Sequence, residues 1–201
     1  MIDLVVVGKM FSYMEDSLKG QDVNIIEEPF TFETGYNYAL NRGAEKGDAE
    51  YIGFCNNDLE FNDKSIPFLK SALDKYYDSV SPWCPLTHLD WWDKSPNTTF
   101  EGYQVGKVLA GWCYFMKRSA YEKIGGFDER IKFWASDNAT AHQFGKNRIK
   151  HALIPYSLVK HRQSQTLNRL PPHLYRKLTL EQTRLFQELY GYSCFDKRYN
   201  K

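Results

Sequence analysis

Tyr51-Ile52-Gly53-Phe54-Cys55-Asn56-Asn57-Asp58 runs without a break from an apolar stretch into two amides and a carboxylate. A short apolar run closed by polar residues predicts a buried strand with a loop at its end. Working back from it, Thr34 to about Lys46 predicts a helix that Gly47 ends. Tyr36, Ala39, Leu40 and Ala44 share one face of it. Before that, Val23-Asn24-Ile25-Ile26 predicts a strand closed by Pro29, and Met10 to Leu18 a weak helix. Ile2 to Val7 predicts the first buried strand, ended by Gly8. Working forward, Ser65 opens a helix with Ile66, Leu69, Leu73 and Tyr76 inside, and Val80 to Leu86 is extended. This β-α-β-α-β alternation predicts an α/β fold with a mostly parallel central sheet and helices on both faces. In such open sheets, ligands bind beyond the carboxyl ends of the strands. Asn56, Asn57 and Asp58 stand at such an end.

The remainder is less regular. Residues 87–106 form a long polar and aromatic loop, a kind of segment that is usually functional. Val108 to Met116 predicts a strand. Ser119 to Glu122 has capping-box spacing before a short helix that Gly125 stops. Ile149 to Ile154 and Tyr156 to Val159 are extended. Thr179 and Gln182 open a final helix, with Leu185, Phe186 and Leu189 inside and Gly191 at its end.

The 201 residues suit one domain with an extension. With 42% hydrophobic and 25% charged residues, the chain is globular rather than disordered. No apolar run approaches the ~18 residues of a membrane-spanning helix. Leu4 to Val7 is too short for a secretory signal. Cys55, Cys84, Cys113 and Cys194 form no CxxC pair, so buried free thiols in a reducing compartment are expected, and with them a cytoplasmic location. The net charge of +1 conceals an asymmetry. Residues 1–137 hold 14 basic and 22 acidic side chains, whereas 138–180 hold eight basic ones and no acid. A polyanionic ligand on that segment and a solvated basic face are equal readings.

Several residues carry candidate chemistry, each with a structural alternative. Asn56-Asn57-Asp58 offers oxygen ligands for a hard cation such as Mg²⁺ or Mn²⁺, or forms a turn. Gly125-Gly126-Phe127-Asp128-Glu129 reads as a structural corner, with Asp128 as scaffold. Asp137 follows the aromatic pair Phe133-Trp134. It is either a desolvated general base or the N-cap of a helix. His161 ends an extended segment and is either structural or a ligand converging on Asp58's metal. Trp91 and Trp92 stack on a ligand or line the loop's own interior.

Taken in order, these residues resemble the GT-A fold glycosyltransferases of inverting family 2, over about residues 1–162. Residues 163–201 then form a basic, helical extension packed on that core. The likeness rests on Ala39-Leu40-Asn41-Arg42-Gly43, on Phe54-Cys55-Asn56-Asn57-Asp58 as a variant of the DxD motif, and on one series. That series runs from Ala110-Gly111-Trp112 through Arg118, Gly125-Gly126-Phe127-Asp128-Glu129 and Asp137 to His161. The resemblance implies that Asp58 and His161 hold a divalent cation, Mn²⁺ or Mg²⁺, on the donor diphosphate, and that Asp137 is the catalytic base. It places Gly8, Glu27, Asn41, Asn56, Asn57 and Gly111 toward a nucleotide-sugar donor, UDP-linked. Trp91, Trp92, Trp112, Arg169 and Arg176 fall toward the acceptor. Two acceptors fit this reading. One is a saccharide or lipid-linked glycan. The other is a hydroxymethylated base in DNA, as in a viral DNA-modifying enzyme working in host cytoplasm, toward which the basic segment tilts the balance. An inactive sugar-nucleotide binding module is the alternative of another class. The chain departs from the family pattern at Ser136, where glutamate is usual before the base, and at Val7-Gly8-Lys9 and Glu27-Glu28.

Overall fold

The computed structural model describes residues 1–88, 98–162 and 171–196. Three strands establish the sheet: β1 (Ile2–Val7), β2 (Val23–Glu28) and β3 (Tyr51–Asn56). β1 lies between the other two and parallel to both, with Val7 level with Glu28 on one side and Asn56 on the other. All six residues of β1 are buried, as a central strand covered on both faces requires. The sheet continues through β7 (Cys113–Lys117), β5 (Ser79–Trp83), β8 (His151–His161) and β4 (Leu59–Phe61), in the order β2-β1-β3-β7-β5-β8-β4. A two-residue β6 (Phe100–Glu101) pairs with β8. β2, β1, β3, β5 and β8 run one way. β7 runs against them between β3 and β5.

Alternation along β1 splits the core in two. Leu4 and Val6 pack with Met14 and Leu18 of α1 (Ser12–Leu18) and with Ile66, Leu69 and Leu73 of α3 (Ser65–Lys75). Val5 and Val7 face the other way. They meet α2 (Tyr36–Lys46), α4 (Arg118–Ile124) and α5 (Ser136–Lys146). Gly43 permits this contact, because a side chain there would collide with Val5. Below that face Asp3, fully buried, is matched by the Arg118 guanidinium at 2.8 Å, the Asn24 amide at 2.9 Å and the Ala49 N–H at 2.7 Å. A buried carboxylate needs such partners, and Arg118 thus belongs to the base of the sheet, far from β1's carboxyl end.

The last helix, α6 (Pro172–Tyr190), forms a small third core. Its Phe186 meets Ile131, Ala135 and Ala139. None of the helices among the described residues is long and apolar enough to cross a membrane.

Some sequence expectations shift. Tyr76 is exposed, because α3 has ended at Lys75 and released it from the inner face. Thr34 bonds to Thr31, and Gly35 occupies the N-cap of α2. The strand expected from Val108 begins only at Cys113, since residues 104–109 close into turns. Pro155 does not divide the late extended segments, which form the single strand β8. α6 starts seven residues before Thr179, with Pro172 in its first turn, where a missing N–H costs nothing.

Candidate active site

β1 and β3 end side by side, and the structure delivers the rest of the site to that edge. β7 is antiparallel to β3, so the residues entering it arrive where β3 stops. The Asn56 N–H donates to the Trp112 carbonyl at 2.9 Å. The far half of β8 runs against β4, with His161 level with Leu59. The Arg162 N–H closes that ladder on the Asp58 carbonyl at 3.1 Å. Asp58 and His161, 103 positions apart in sequence, are therefore neighbours by strand register. α5 brings Asp137 from the opposite side. A cleft of about 210 Å³ joins Asn56, Asn57, Asp58, Gly111, Trp112, Asp137 and His161, walled by Phe30, Tyr36, Phe133 and Trp134.

Asp58 and His161 are both buried, and Asp58 Oδ1 lies 3.3 Å from His161 Nε2. Neither atom has a hydrogen-bond partner among the described residues. Buried polar atoms left unpaired call for an explanation, and the capacity to ligate a cation is one. Trp112 stacks on the imidazole, with ring centres 5.0 Å apart and planes 21° from parallel, and fixes its direction. No group of three or more His, Cys, Asp or Glu side chains among the described residues could hold a metal. The pair fits a hard cation that takes its other ligands from phosphate oxygens and water, as Mg²⁺ and Mn²⁺ do.

Asp137 is not the N-cap of α5. Ala135 takes that position in a left-handed conformation, φ 64°, and Asp137 stands in the first turn. Its Oδ1 accepts the Asn138 N–H at 2.9 Å. Desolvation raises its pKa above the ordinary aspartate value. Gly111 explains the close packing here: a Cβ on it would lie 2.7 Å from Asp137 Cβ and 3.0 Å from Oδ2. Gly111→Ala is accordingly expected to displace the Asp137 carboxyl and lower turnover about tenfold, since small misplacements of a reacting group are costly. Steady-state kinetics with a thermal melt would check this. An unchanged rate would mean that the Asp137 position is not critical.

The two amides are held differently. The Tyr36 hydroxyl donates to Asn56 Oδ1 at 2.8 Å, so the Asn56 NH₂ is the end left for a ligand. Asn57 Nδ2 donates to the Lys9 carbonyl at 2.8 Å, which leaves its oxygen. Gly8, at φ 89°, passes so close that a Cβ would meet Asn57 Nδ2 at 3.0 Å. Glu27 accepts the Met10 N–H at 2.7 Å and ties down the same turn. Gly8 and Glu27 thus border the strand ends without lining the cleft. Tyr36 was hidden in the sequence, because its helical spacing assigns it to the core.

Asn41 does not reach the site. Its Nδ2 donates to the Phe127 carbonyl and to Glu129, and its Oδ1 accepts the Phe127 N–H and the Tyr121 hydroxyl. All its bonding capacity holds the Gly125–Glu129 corner, so the expected donor contact is corrected to a structural anchor. Asp128, read as scaffold, binds Arg130 and accepts the Tyr190 hydroxyl at 2.7 Å. Trp91, Trp92 and Arg169 lie outside the described residues. Arg176 is exposed on α6. Part of the basic segment is already engaged. Lys160 and Arg162 lie 3.7 and 3.0 Å from Glu60, and Lys150 sits over the Tyr77 ring.

A sequence profile described as "Glycosyl transferase family 2" matches residues 10–143. The chain belongs to that family. The match spans β3, the Asn56–Asp58 turn, the Gly125–Glu129 corner and Asp137, and stops before β8 and α6. An N-acetylglucosaminyl-diphospho-decaprenol L-rhamnosyltransferase of Mycobacterium tuberculosis is 29% identical over 87 residues. That stretch is 40% of this chain and 28% of the relative, so the chain aligns with under a third of it. Among solved structures, the glucosyl-3-phosphoglycerate synthase of Mycobacterium tuberculosis, in complex with Mn²⁺, UDP and glucosyl-3-phosphoglycerate, superposes with a TM-score of 0.60 at 12% identity. It covers 95% of this chain and 80% of its own. GalNAc-T7 with UDP, GalNAc and Mn²⁺ gives 0.61 at 11% identity, over 80% of this chain and 43% of that one. At these identities the likeness is one of fold, and that fold is GT-A.

Proposed function

We propose that this family member transfers a sugar from a nucleoside diphosphate sugar, UDP-linked, to an acceptor hydroxyl, with inversion at the anomeric carbon. The observation that carries this is the unpaired Asp58–His161 couple facing the same cleft as a desolvated Asp137. Asp58 and His161 would hold Mn²⁺ or Mg²⁺. When bound, the cation supplies Lewis-acid neutralisation of the leaving diphosphate. The Asn56 NH₂, oriented by Tyr36, donates to the donor's phosphate or ribose oxygens. Gly8, Glu27 and Asn57 shape the turn against which the nucleotide rests. Asp137 takes the acceptor proton on Oδ2, because Oδ1 is engaged by Asn138. Attack from the Asp137 side, opposite the diphosphate, inverts the carbon. The UDP and Mn²⁺ bound by two structural neighbours support the donor half of this reading.

The acceptor is a saccharide in this proposal. The cleft's wall is aromatic, and aromatic faces suit the C–H face of a sugar. The relative's name also describes a lipid-linked saccharide acceptor. A DNA acceptor would need the clustered cations of residues 138–180, yet Lys160 and Arg162 are engaged by Glu60 and Lys150 by the Tyr77 ring. Mass spectrometry tests the choice, with glycans and hydroxymethylated duplex DNA incubated with UDP-sugars and Mn²⁺. A hexose or deoxyhexose increment on a glycan supports the proposal. An increment on DNA alone would move the acceptor to nucleic acid.

A further inference from the structure

The family match ends at residue 143, and α6 lies beyond it. Even so, the helix is anchored on the segment that carries the base. Gln182 Oε1 accepts the backbone N–H of Lys132 at 2.7 Å and of Phe133 at 3.4 Å. Asn138, next to Asp137, donates its amide to the Cys194 carbonyl at 3.0 Å. Between these two ties stands Trp134, three residues before Asp137. Its ring lines the cleft, and the Tyr175 ring of α6 meets it edge to face at 5.7 Å. The Trp134 indole N–H is buried and finds no partner among the described residues. An aromatic face with an unused donor at its rim is the usual equipment for a sugar ring, which offers C–H groups on one side and hydroxyls around its edge.

We infer that Trp134 and Tyr175 form the acceptor's sugar-binding shelf, so that the C-terminal helix builds half of the acceptor subsite. The inference rests on the proposed transfer reaction and names the side of the cleft that the acceptor enters. Trp112 and Trp134, both lining the cleft, then have separate tasks. Trp112 stacks on His161 and serves the cation side. Trp134 stands on the base's side. A sugar laid on Trp134 carries a hydroxyl toward Asp137, and the indole N–H donates to a neighbouring hydroxyl. Gln182 acts as a positioning residue, since it holds the loop without touching the sugar. Because α6 starts at Pro172 rather than near Thr179, its first turn carries Tyr175, whose ring braces Trp134 edge to face.

Saturation-transfer NMR tests this on the full chain. The probes are UDP with Mg²⁺, which avoids paramagnetic broadening, and methyl α- and β-glycosides of common hexoses. The expected result is transfer to glycoside C–H protons in the wild type. Trp134→Leu and Tyr175→Ala should each weaken that signal about three- to tenfold while leaving the UDP signal unchanged. Tyr175→Phe should retain it, because the ring and not the hydroxyl makes the contact. In transfer assays the same variants raise the acceptor KM more than they lower kcat. Gln182→Leu lowers kcat, and Gln182→Glu, which keeps an accepting oxygen, restores it. Glycoside signals without any UDP signal would support the shelf and overturn the donor reading. Two results would overturn the shelf itself: no glycoside signal in the wild type, or an undiminished signal in both Trp134→Leu and Tyr175→Ala.

Discussion

Asp137→Asn should lose nearly all transfer, about 10²–10⁴-fold, while binding UDP as the wild type does. The substitution keeps the side chain's shape and an oxygen to accept the Asn138 N–H, so α5 keeps its first turn. It replaces the basic carboxylate oxygen that takes the acceptor proton with an NH₂ that cannot accept one. The wild type should also show an acid limb in kcat/KM. The sign follows from the environment: desolvation raises the Asp137 pKa above 3.8, and the base works only when ionised. Activity therefore falls as the pH drops through a value above the ordinary aspartate range, and the Asn variant has no such limb. The same desolvation makes the ionised carboxyl a cost to folding near neutral pH. The variant should melt no lower than the wild type. Retention of more than about half the turnover would assign the base elsewhere.

The second large effect is at Asp58. Asp58→Ala should abolish the response of donor turnover to metal. Wild-type hydrolysis of a UDP-sugar rises and saturates with added Mn²⁺, and the variant's rate stays flat. The fold should survive, because the carboxyl's Oδ1 has no hydrogen bond to lose among the described residues, and the Arg162 N–H bonds to the Asp58 backbone carbonyl instead. The contact given up is the 3.3 Å approach to His161 Nε2, and a thermal melt alongside the kinetics separates its loss from the loss of metal response. A variant with wild-type Mn²⁺ dependence would place the cation on other residues.

The sheet and the strand-end turn were legible because their signals are local. Ile2–Val7 and Tyr51–Asn56 are continuous apolar runs, and Gly8 and Asn56–Asp58 mark where they stop. What pairs with what was less visible. Nothing in residues 108–116 announces that β7 runs antiparallel, yet that direction brings Gly111 and Trp112 to the edge of β3. The convergence of His161 on Asp58 depends on the register of β4 with β8, a contact between residues more than 100 positions apart. Tyr36 and Asn41 lie on one helix. Helical spacing put Tyr36 on the core face, where it does pack, and gave no sign of its second contact, while the family resemblance placed Asn41 near the donor. In the fold Tyr36 reaches Asn56 in the cleft, and Asn41 is fully engaged by the Phe127 corner. The charge run of residues 138–180 misled for a simpler reason. Lys150, Lys160 and Arg162 lie along or beside a strand, and their partners, Tyr77 and Glu60, come from distant parts of the chain.

Calorimetric titration of UDP into the wild-type chain, with and without Mn²⁺, tests the central claim most directly. If Asp58 and His161 hold a cation that in turn holds the donor diphosphate, Mn²⁺ tightens UDP binding at least tenfold and excess EDTA reverses it. Equal UDP affinity in the presence and absence of Mn²⁺ would contradict the account.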